Sequence, residues 1–315
     1  MKQHLSAAGL ALMSILLFLF LMIHPQEGLV AAKEGMGLWL NTLIPTLLPF
    51  LILTSVLIRT GGIEQLLLPM KPFFRFALGT SIYGGYVFLL GMLCGYPMGA
   101  KLASDLYCAG KIDRREAHYL TTFCNHASPA FILTYLGQHC LDGAIPARWL
   151  FVSLLGADLI CMLFFRFLVY RGHTASDPCN EKKETPAATP AGGILDVSIM
   201  NGFETITRLG GYILLFSILA GCVRHYWPFL PFYQYLLLGF TEITSGLSLL
   251  SASGLPLHMR GVLSIAAAAS GGLCILAQTR SVMDKDLKLL PYAVSKCISA
   301  GIAGMLSYLV LSQII

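Results

Sequence analysis

Two oppositely charged residues, Lys101 and Asp105, lie four positions apart within a long apolar stretch. On a helix this spacing allows the two side chains to pair. Because charged groups at membrane depth are energetically costly, an ionisable residue there indicates a functional site. The pair could hold or gate a polar solute. Alternatively, it could stabilise a lysine that reaches the cytoplasmic interface, and the spacing leaves both interpretations open.

A turn-forming segment rich in glycine precedes this pair. Gly91, Gly95 and Gly99 recur every four residues, which lets another helix backbone approach closely. Pro97 interrupts helical hydrogen bonding, and a membrane tolerates this only where protein or a water-filled cavity meets the freed backbone groups. The sequence therefore predicts that Gly95, Tyr96, Pro97 and Gly99 form a turn that faces a binding site.

Polar residues and glycines interrupt three further apolar stretches. Asn125 and Ser128 could present side chains and unwound carbonyls to a solute, or cap two half-helices, and both roles can hold at once. Glu242 has no basic neighbour in sequence, so it is either a carboxylate that binds a solute or coupling ion, or a buried structural one. The other candidates for contact with a solute, or for the backbone shape around it, are Thr244, Ser245, Gly271, Gly272 and Gln278.

Two more polar residues lie in apolar stretches. The imidazole of His126 is suited to proton coupling, although a histidine in such a position more often serves local packing. Asp158 lies in an otherwise plain apolar span. We interpret it as a group that forms a hydrogen bond between helices.

Composition identifies a polytopic membrane protein. Of the 315 residues, 56% are hydrophobic and only 12% are charged, and the mean hydropathy is +0.72; soluble domains contain about 25% charged residues. The nine cysteines are scattered and include no C-x-x-C pair, so we expect reduced packing residues. Motifs of nucleotide motors and zinc proteases are absent from the sequence. We therefore predict no enzyme activity, no cofactor, no metal site and no nucleic-acid partner; the lipid bilayer is the expected surrounding.

Hydropathy and interruptions divide this all-α chain into four parts. Residues 1–37 are predicted to form a transmembrane anchor and an external segment, and residues 171–193 a polar linker. Alternatively, the first apolar run belongs to a signal peptide with a small-residue cleavage site at Val30-Ala31-Ala32. Between and after them lie two similar repeats, 38–170 and 194–315. Each repeat is predicted to contain a re-entrant helical hairpin (79–107 or 233–257) and an interrupted transmembrane helix (120–136 or 262–282). Plain spans are expected at 7–23, 38–58, 149–169, 209–223 and 292–314, and interfacial segments at 63–77 and 194–207.

Spacing and charge distribution favour an inverted arrangement of the repeats. Gly95 and Asn125 lie 30 residues apart, as do Glu242 and Gly272, and paired interrupted segments are typical of transporters with inverted repeats. If the N-terminus is cytoplasmic and neither hairpin crosses, seven helices cross and the C-terminus is external. Of the 21 basic residues, all but Lys33, Arg148, Arg224 and Arg260 then lie on the cytoplasmic side, as the positive-inside rule expects.

The motifs resemble those of sporulation integral membrane proteins of the YlbJ type, within the nucleoside recognition, or Gate, domain family. The resemblance rests on GYPMGAK (95–101), Asn125 with Ser128-Pro129, EITSG (242–246), and Gly271-Gly272-Leu273 with Gln278. It implies a bacterial membrane protein that is needed for a normal spore cortex. Gate domains are also distantly similar to the core of concentrative nucleoside transporters, in which two opposed hairpins and two interrupted helices hold the substrate. The glutamine-threonine-glutamate hairpin motif of those transporters does not occur here.

Two functions follow as hypotheses. The first is a transporter or gate that moves a small polar solute by alternating access during sporulation, with the site at the midplane between hairpins and unwound helix segments. The second is a non-transporting membrane scaffold that recruits cortex-assembly proteins. In the scaffold, surface loops such as 171–193 would matter more than the hairpin residues.

Overall fold

Apolar runs form helices throughout the part of the chain that the structure describes, and no strand occurs in that part. The structure is a computed structural model that describes residues 2–171, 191–228 and 230–313. Helices are expected in lipid because they satisfy every backbone polar group within one segment. Residues 172–190 of the predicted linker lie outside the described ranges.

In the first half, residues 2–171 form nine α-helices, several of them extended by short 3-10 or π turns. The helices are α1 (Lys2–Ile23), α2 (Pro25–Leu38), α3 (Ile44–Thr60), α4 (Gly62–Leu67), α5 (Lys71–Phe73), α6 (Ile82–Cys94), α7 (Met98–Cys108), α8 (Arg114–Thr121) and α9 (Ala147–Phe164). Wide π turns join α2 to α3, follow α5 and α9, and form the helical segment Phe131–Cys140.

The described residues of the second half form six helices. They are α10 (Ala191–Tyr226), α11 (Pro231–Thr241), α12 (Ile243–Ser251), α13 (Leu257–Ser270), α14 (Gly272–Val282) and α15 (Leu290–Leu311). Five helical stretches among the described residues are long and apolar enough to cross a membrane: Pro25–Thr60, Ala147–Val169, Gly193–Tyr226, Leu257–Val282 and Leu290–Leu311. A sixth span results if Gly62–Leu78 and Ile82–Cys94, which are bent by 82°, count as one. The chain is therefore a multi-pass membrane protein.

Three predicted segments can be compared with the helices of the structure. Residues 26–37, expected to lie outside the membrane, continue through a π turn into α3, so one helical stretch runs over Pro25–Thr60. A π turn accommodates a local irregularity within a helix. This one lies just before Pro45. Residues 194–207, expected to form an interfacial helix that leads into the span 209–223, are part of the single helix α10. The interruption predicted within 120–136 is present: a non-helical segment separates α8 from the helical segment that contains Phe131–Cys140.

The start of α8 illustrates how local sequence sets a helix boundary. The sequence predicts a capping box in which Asp113 caps the helix and Glu116 reaches back. Asp113 Oδ1 does accept a hydrogen bond from the Glu116 backbone N–H at 2.6 Å. The Glu116 carboxylate, however, accepts from the Ser81 backbone N–H at 2.7 Å. It therefore ties α8 to the start of α6, and its burial raises the pKa of Glu116 to about 7.

Packing joins the long helices in two groups. In the first, α10 lies against α2 and α3, where the Trp39 indole donates to the Ile206 carbonyl at 2.9 Å. In the second, α15 packs against both α9 and α13. The outer faces carry exposed large apolar side chains such as Phe18 (64%) and Leu168 (66%). Exposed apolar surface of this extent suits contact with lipid.

Candidate functional site

The turn between α6 and α7 lies directly against the interruption that follows α8. Gly95 ends α6 with a φ of +77°, a conformation that glycine adopts without steric cost. The Tyr96 backbone N–H donates to the His126 carbonyl at 2.7 Å. A Cβ on Gly95 would lie 2.6 Å from the Ser128 backbone nitrogen, so this position has no room for a side chain. The turn and the interruption therefore form one packed unit.

Asn125 connects three elements at this interruption. Its Oδ1 accepts from the Ala100 backbone N–H of α7 at 3.4 Å, and its Nδ2 donates to Thr279 Oγ1 of α14 at 3.2 Å. Asn125 is fully buried. Ser128 Oγ accepts from the Phe131 backbone N–H at 3.2 Å, which confirms the predicted capping role. Both residues thus hold the broken backbone in place.

Glu242 occupies the corresponding turn between α11 and α12. Its carboxylate caps α12 by accepting from the backbone N–H groups of Thr244 (3.0 Å) and Ser245 (2.7 Å) and from the Thr244 hydroxyl (2.7 Å). An anion is favoured there because the first N–H groups of a helix are otherwise unpaired and carry partial positive charge. Glu242 is only 3% exposed. The structural interpretation of this carboxylate is thereby supported, and contact with a solute stays a prediction.

The break between α13 and α14 depends on two successive glycines. Gly271 and Gly272 have φ angles of +73° and +72°, in the left-handed region that non-glycine residues rarely adopt. A Cβ on Gly272 would lie 2.9 Å from the Phe240 carbonyl at the end of α11. These glycines therefore set backbone shape, as the sequence predicts. Gln278, farther along α14, is buried and lies 3.1 Å from Cys274 Sγ.

A cavity of about 590 Å³ lies where the two halves meet. Five of the predicted site residues line it: Tyr96, Ser128, Glu242, Thr244 and Gln278. The α2–α3 stretch, α10 and the Phe131–Cys140 segment contribute further walls, which include Thr42, Pro45, Thr46, Pro49, Tyr135, His139 and Ile213. Within the described ranges, no lysine or arginine lines the cavity. Its polar groups are thus one carboxylate, hydroxyls, a carboxamide and an imidazole within largely apolar walls.

The remaining predicted site residues do not line this cavity. Gly95, Pro97, Gly99, Asn125, Gly271 and Gly272 support its walls, and the Ser245 backbone holds Glu242. Lys101 Nζ pairs with Asp105 Oδ1 at 2.6 Å, which confirms the predicted pairing. Asp105 instead borders a second, open depression with Arg59, Glu204 and Arg208. We therefore assign the Lys101–Asp105 pair no direct contact with a solute in the central cavity.

Sequence reasoning missed one buried ion pair. Lys296 of α15 and Asp158 of α9 are 4% and 8% exposed, and Lys296 Nζ lies 3.9 Å from Asp158 Oδ1. Ser299 Oγ also donates to this carboxylate at 3.2 Å, which confirms the predicted interhelical hydrogen bond of Asp158. Lys296 was counted among the cytoplasmic charges because a lysine near a helix end normally reaches water. Its burial could have been suspected only from its position inside an apolar span.

The predicted packing role of His126 agrees with its contacts. Its side chain is 3% exposed. One ring nitrogen lies 2.8 Å from the Ala127 carbonyl and the other 2.8 Å from Met92 Sδ. The imidazole therefore links the interruption after α8 to α6, and it does not line the cavity.

Comparison with known proteins finds one informative relative. The chain is 26% identical to the sporulation integral membrane protein YlbJ of Bacillus subtilis (strain 168) over 331 aligned positions, which cover 91% of this chain and 79% of the relative. No protein-family model matches the chain, and no solved structure is detectably similar to it. The nucleoside recognition, or Gate, assignment therefore stays a prediction. The extent of the alignment shows that this chain is a relative of the YlbJ-type sporulation integral membrane proteins.

Proposed function

We propose that this protein moves or gates a small polar solute across the bacterial cell membrane during sporulation, in support of spore cortex formation. The observation that carries the proposal is the cavity of about 590 Å³ lined by Tyr96 and Ser128 from one half and Glu242, Thr244 and Gln278 from the other. A site between two halves can open to either side when one half moves against the other. The role in sporulation rests on the name of the relative.

Recurrent features of the two halves support inverted repeats as part of this proposal. Each half contains two helices joined by a tight turn, followed by a broken helical segment. A Cβ on Gly91 of α6 would lie 3.3 Å from the Gly99 Cα of α7, and one on Gly246 of α12 would clash with Gly239 of α11. Such glycine contacts let the arms of each pair pack closely. We propose that both pairs are re-entrant hairpins.

The lining of the cavity favours a particular class of solute. Among the described residues that line the cavity, Glu242 supplies the one carboxylate, and no lysine or arginine opposes it. Its oxygens accept hydrogen bonds from Thr244 and Ser245. A solute with a cationic or hydrogen-bond-donating group and an apolar part fits these walls best.

Replacement of Glu242 by Ser separates the solute-binding role from helix capping. Serine is a good N-cap, so we expect Glu242→Ser to insert and fold normally but to bind the solute about 10- to 100-fold more weakly. That loss corresponds to one charge-assisted hydrogen bond, about 1.5–3 kcal/mol. Glu242→Ala also removes the cap of α12. Its free energy of unfolding should therefore be about 0.5–2 kcal/mol lower than that of Glu242→Ser.

The measurement is a thermal-shift screen of the purified protein against nucleosides, amino acids, cortex precursors and metal ions. A hit is then followed as radiolabelled uptake into proteoliposomes. Thr134→Val, at another position that lines the cavity, serves as the matched control. Equal ligand shifts and uptake in wild-type protein and Glu242→Ser would show that the carboxylate does not bind the solute. A wild-type protein without any ligand shift or uptake would favour the scaffold hypothesis.

The orientation of the chain in the membrane gives a prediction that does not depend on the solute. The distribution of lysines and arginines supports our proposal that the N-terminus is cytoplasmic and the C-terminus external. Alkaline phosphatase fused after Ile315 should therefore be active, whereas the same enzyme fused after Lys111 should be inactive. A C-terminal fusion with cytoplasmic behaviour would contradict the proposed opposite orientation of the two repeats.

A further inference from the structure

Three side chains that can bind a metal ion meet at one end of the bundle. None of the three lines the cavity. His24 lies at the corner between α1 and α2, Glu27 lies in the first turn of α2, and His225 lies in the last turn of α10. One potential ligand atom from each lies within 4.8 Å of the other two. His225 Nδ1 is 3.9 Å from Glu27 Oε1. Residues about 200 positions apart are thus brought together by helix packing.

We propose that His24, Glu27 and His225 form a binding site for a divalent transition-metal ion, with Zn²⁺ as the best-suited ion. Two imidazoles and one carboxylate form a ligand set that zinc commonly uses, with a fourth position left for water. Imidazole ligands also suit Cu²⁺, Ni²⁺ and Co²⁺. Mg²⁺ and Ca²⁺ prefer sites built from oxygen ligands alone, so they should bind poorly.

The geometry requires only side-chain adjustment. Ligand bonds of about 2.0–2.1 Å place neighbouring tetrahedral ligand atoms roughly 3.3 Å apart. The three ligand atoms are already within 4.8 Å of one another. Glu27 and His225 are exposed and His24 is partly exposed, so an ion can enter from solvent and small side-chain movements can close the site.

Neighbouring contacts orient the imidazoles. His24 Nε2 lies 2.7 Å from the Tyr226 hydroxyl, and a hydrogen bond to one ring nitrogen fixes the orientation in which the other binds a metal ion. The two imidazole rings lie with centroids 3.9 Å apart. Buried Phe20 packs beside His24, His225 and Tyr226, with ring centroids 5.7–6.1 Å away. The rings are therefore held together before any ion binds.

The local charge balance also favours a cation. Arg224, next to His225 in sequence, is paired with Glu34 at 2.8 Å. Arg224 thus has its own counter-ion on α2. Among the described residues, the ion-pair contact found for the Glu27 carboxylate is the weak one with His225 at 3.9 Å, which counts as an ion pair only when the imidazole is protonated. A metal ion would supply the missing positive charge to this carboxylate and bind both imidazoles in their neutral form.

Metal binding would connect two long helical stretches. Glu27 begins the Pro25–Thr60 stretch and His225 ends α10, and both stretches contribute walls to the central cavity through residues such as Pro45 and Ile213. An ion bound to both ends would hold these two walls at a fixed separation. The proposal does not depend on what the cavity binds.

Metal titration of the purified full-length protein tests the site. The affinity tag must first be removed, because a polyhistidine tag itself binds these ions. Competition against a chromophoric zinc chelator should give one Zn²⁺ per chain. Substitution of Co²⁺ should give the visible absorption bands of a tetrahedral or five-coordinate complex with nitrogen and oxygen ligands. Mg²⁺ and Ca²⁺ at the same concentrations should neither compete nor raise the unfolding temperature.

Variants assign the ligands. His24→Ala, Glu27→Gln and His225→Ala should each weaken Zn²⁺ binding more than tenfold, and Tyr226→Phe should weaken it about 10- to 100-fold, the usual effect of losing a group that orients a ligand. His258→Ala, which removes a histidine on α13, is the matched control and should bind Zn²⁺ as tightly as the wild type. Unchanged stoichiometry and affinity in His24→Ala and His225→Ala would overturn the proposal. So would a wild-type protein that binds no Zn²⁺.

Discussion

Asp158→Asn is expected to destabilise the protein by about 3–5 kcal/mol, the usual cost of removing one partner from a buried ion pair. The variant leaves the Lys296 ammonium, which is 4% exposed, without its counter-ion. No hydrogen-bond acceptor for Lys296 Nζ is present among the described residues. The unfolding temperature in detergent and the amount of protein that accumulates in the membrane should both fall clearly below those of the wild type.

A double variant tests whether the ion pair has a role beyond stability. Asp158→Leu combined with Lys296→Met replaces both charges with apolar groups of similar size, which is often neutral or stabilising. We expect this variant to recover a near-native unfolding temperature. If it also retains solute uptake, the pair is structural, whereas a stable but inactive double variant would assign it a role in coupling or gating. A single Asp158→Asn variant as stable as the wild type would show that the lysine is not buried as a charge.

Gly99→Val is expected to lower stability by about 3 kcal/mol, the upper end of the usual cost of overpacking. A Cβ at this position would overlap the Cys124 carbonyl and lie 3.1 Å from the Asn125 nitrogen. These are backbone atoms, so they cannot move aside as the end of a flexible side chain can. The substitution should also disturb the contact between Tyr96 and His126 and so alter the cavity wall.

A second glycine provides the control for that experiment. Gly301 lies on α15, and no neighbouring atom lies within 4 Å of the position that its Cβ would occupy. Gly301→Val should therefore change the unfolding temperature little. Thermal unfolding of both purified variants in the same detergent measures the difference. Equal destabilisation by the two substitutions would mean that the effect reflects helix propensity and not the close approach of α7 to the segment after α8.

Local features of the fold could be predicted because their causes are local. Apolar runs predicted the membrane helices, and the Pro97, Ser128-Pro129 and Gly271-Gly272 positions predicted where helices end. Residues 26–37 were predicted to lie outside the membrane because they follow the first apolar span. In the structure they are helical, since most of these residues tolerate a helix, and the pairing of Glu34 with Arg224 places that helix against α10. Hydropathy alone predicted neither this helix nor its neighbour.

The class of protein, the turns that interrupt its helices and a set of polar residues, five of which line the cavity, were predictable from the amino-acid sequence. These follow from hydropathy, backbone conformational limits and hydrogen-bonding capacity, all of which act over a few residues. The three-dimensional arrangement was needed to show which distant residues meet: Tyr96 with Glu242 around a cavity, Lys296 with Asp158, and His24 with His225. Such encounters depend on how whole helices pack, because no local spacing connects residues more than a hundred positions apart. The same packing left Lys101 and Asp105 paired outside the cavity, where their spacing alone could not place them.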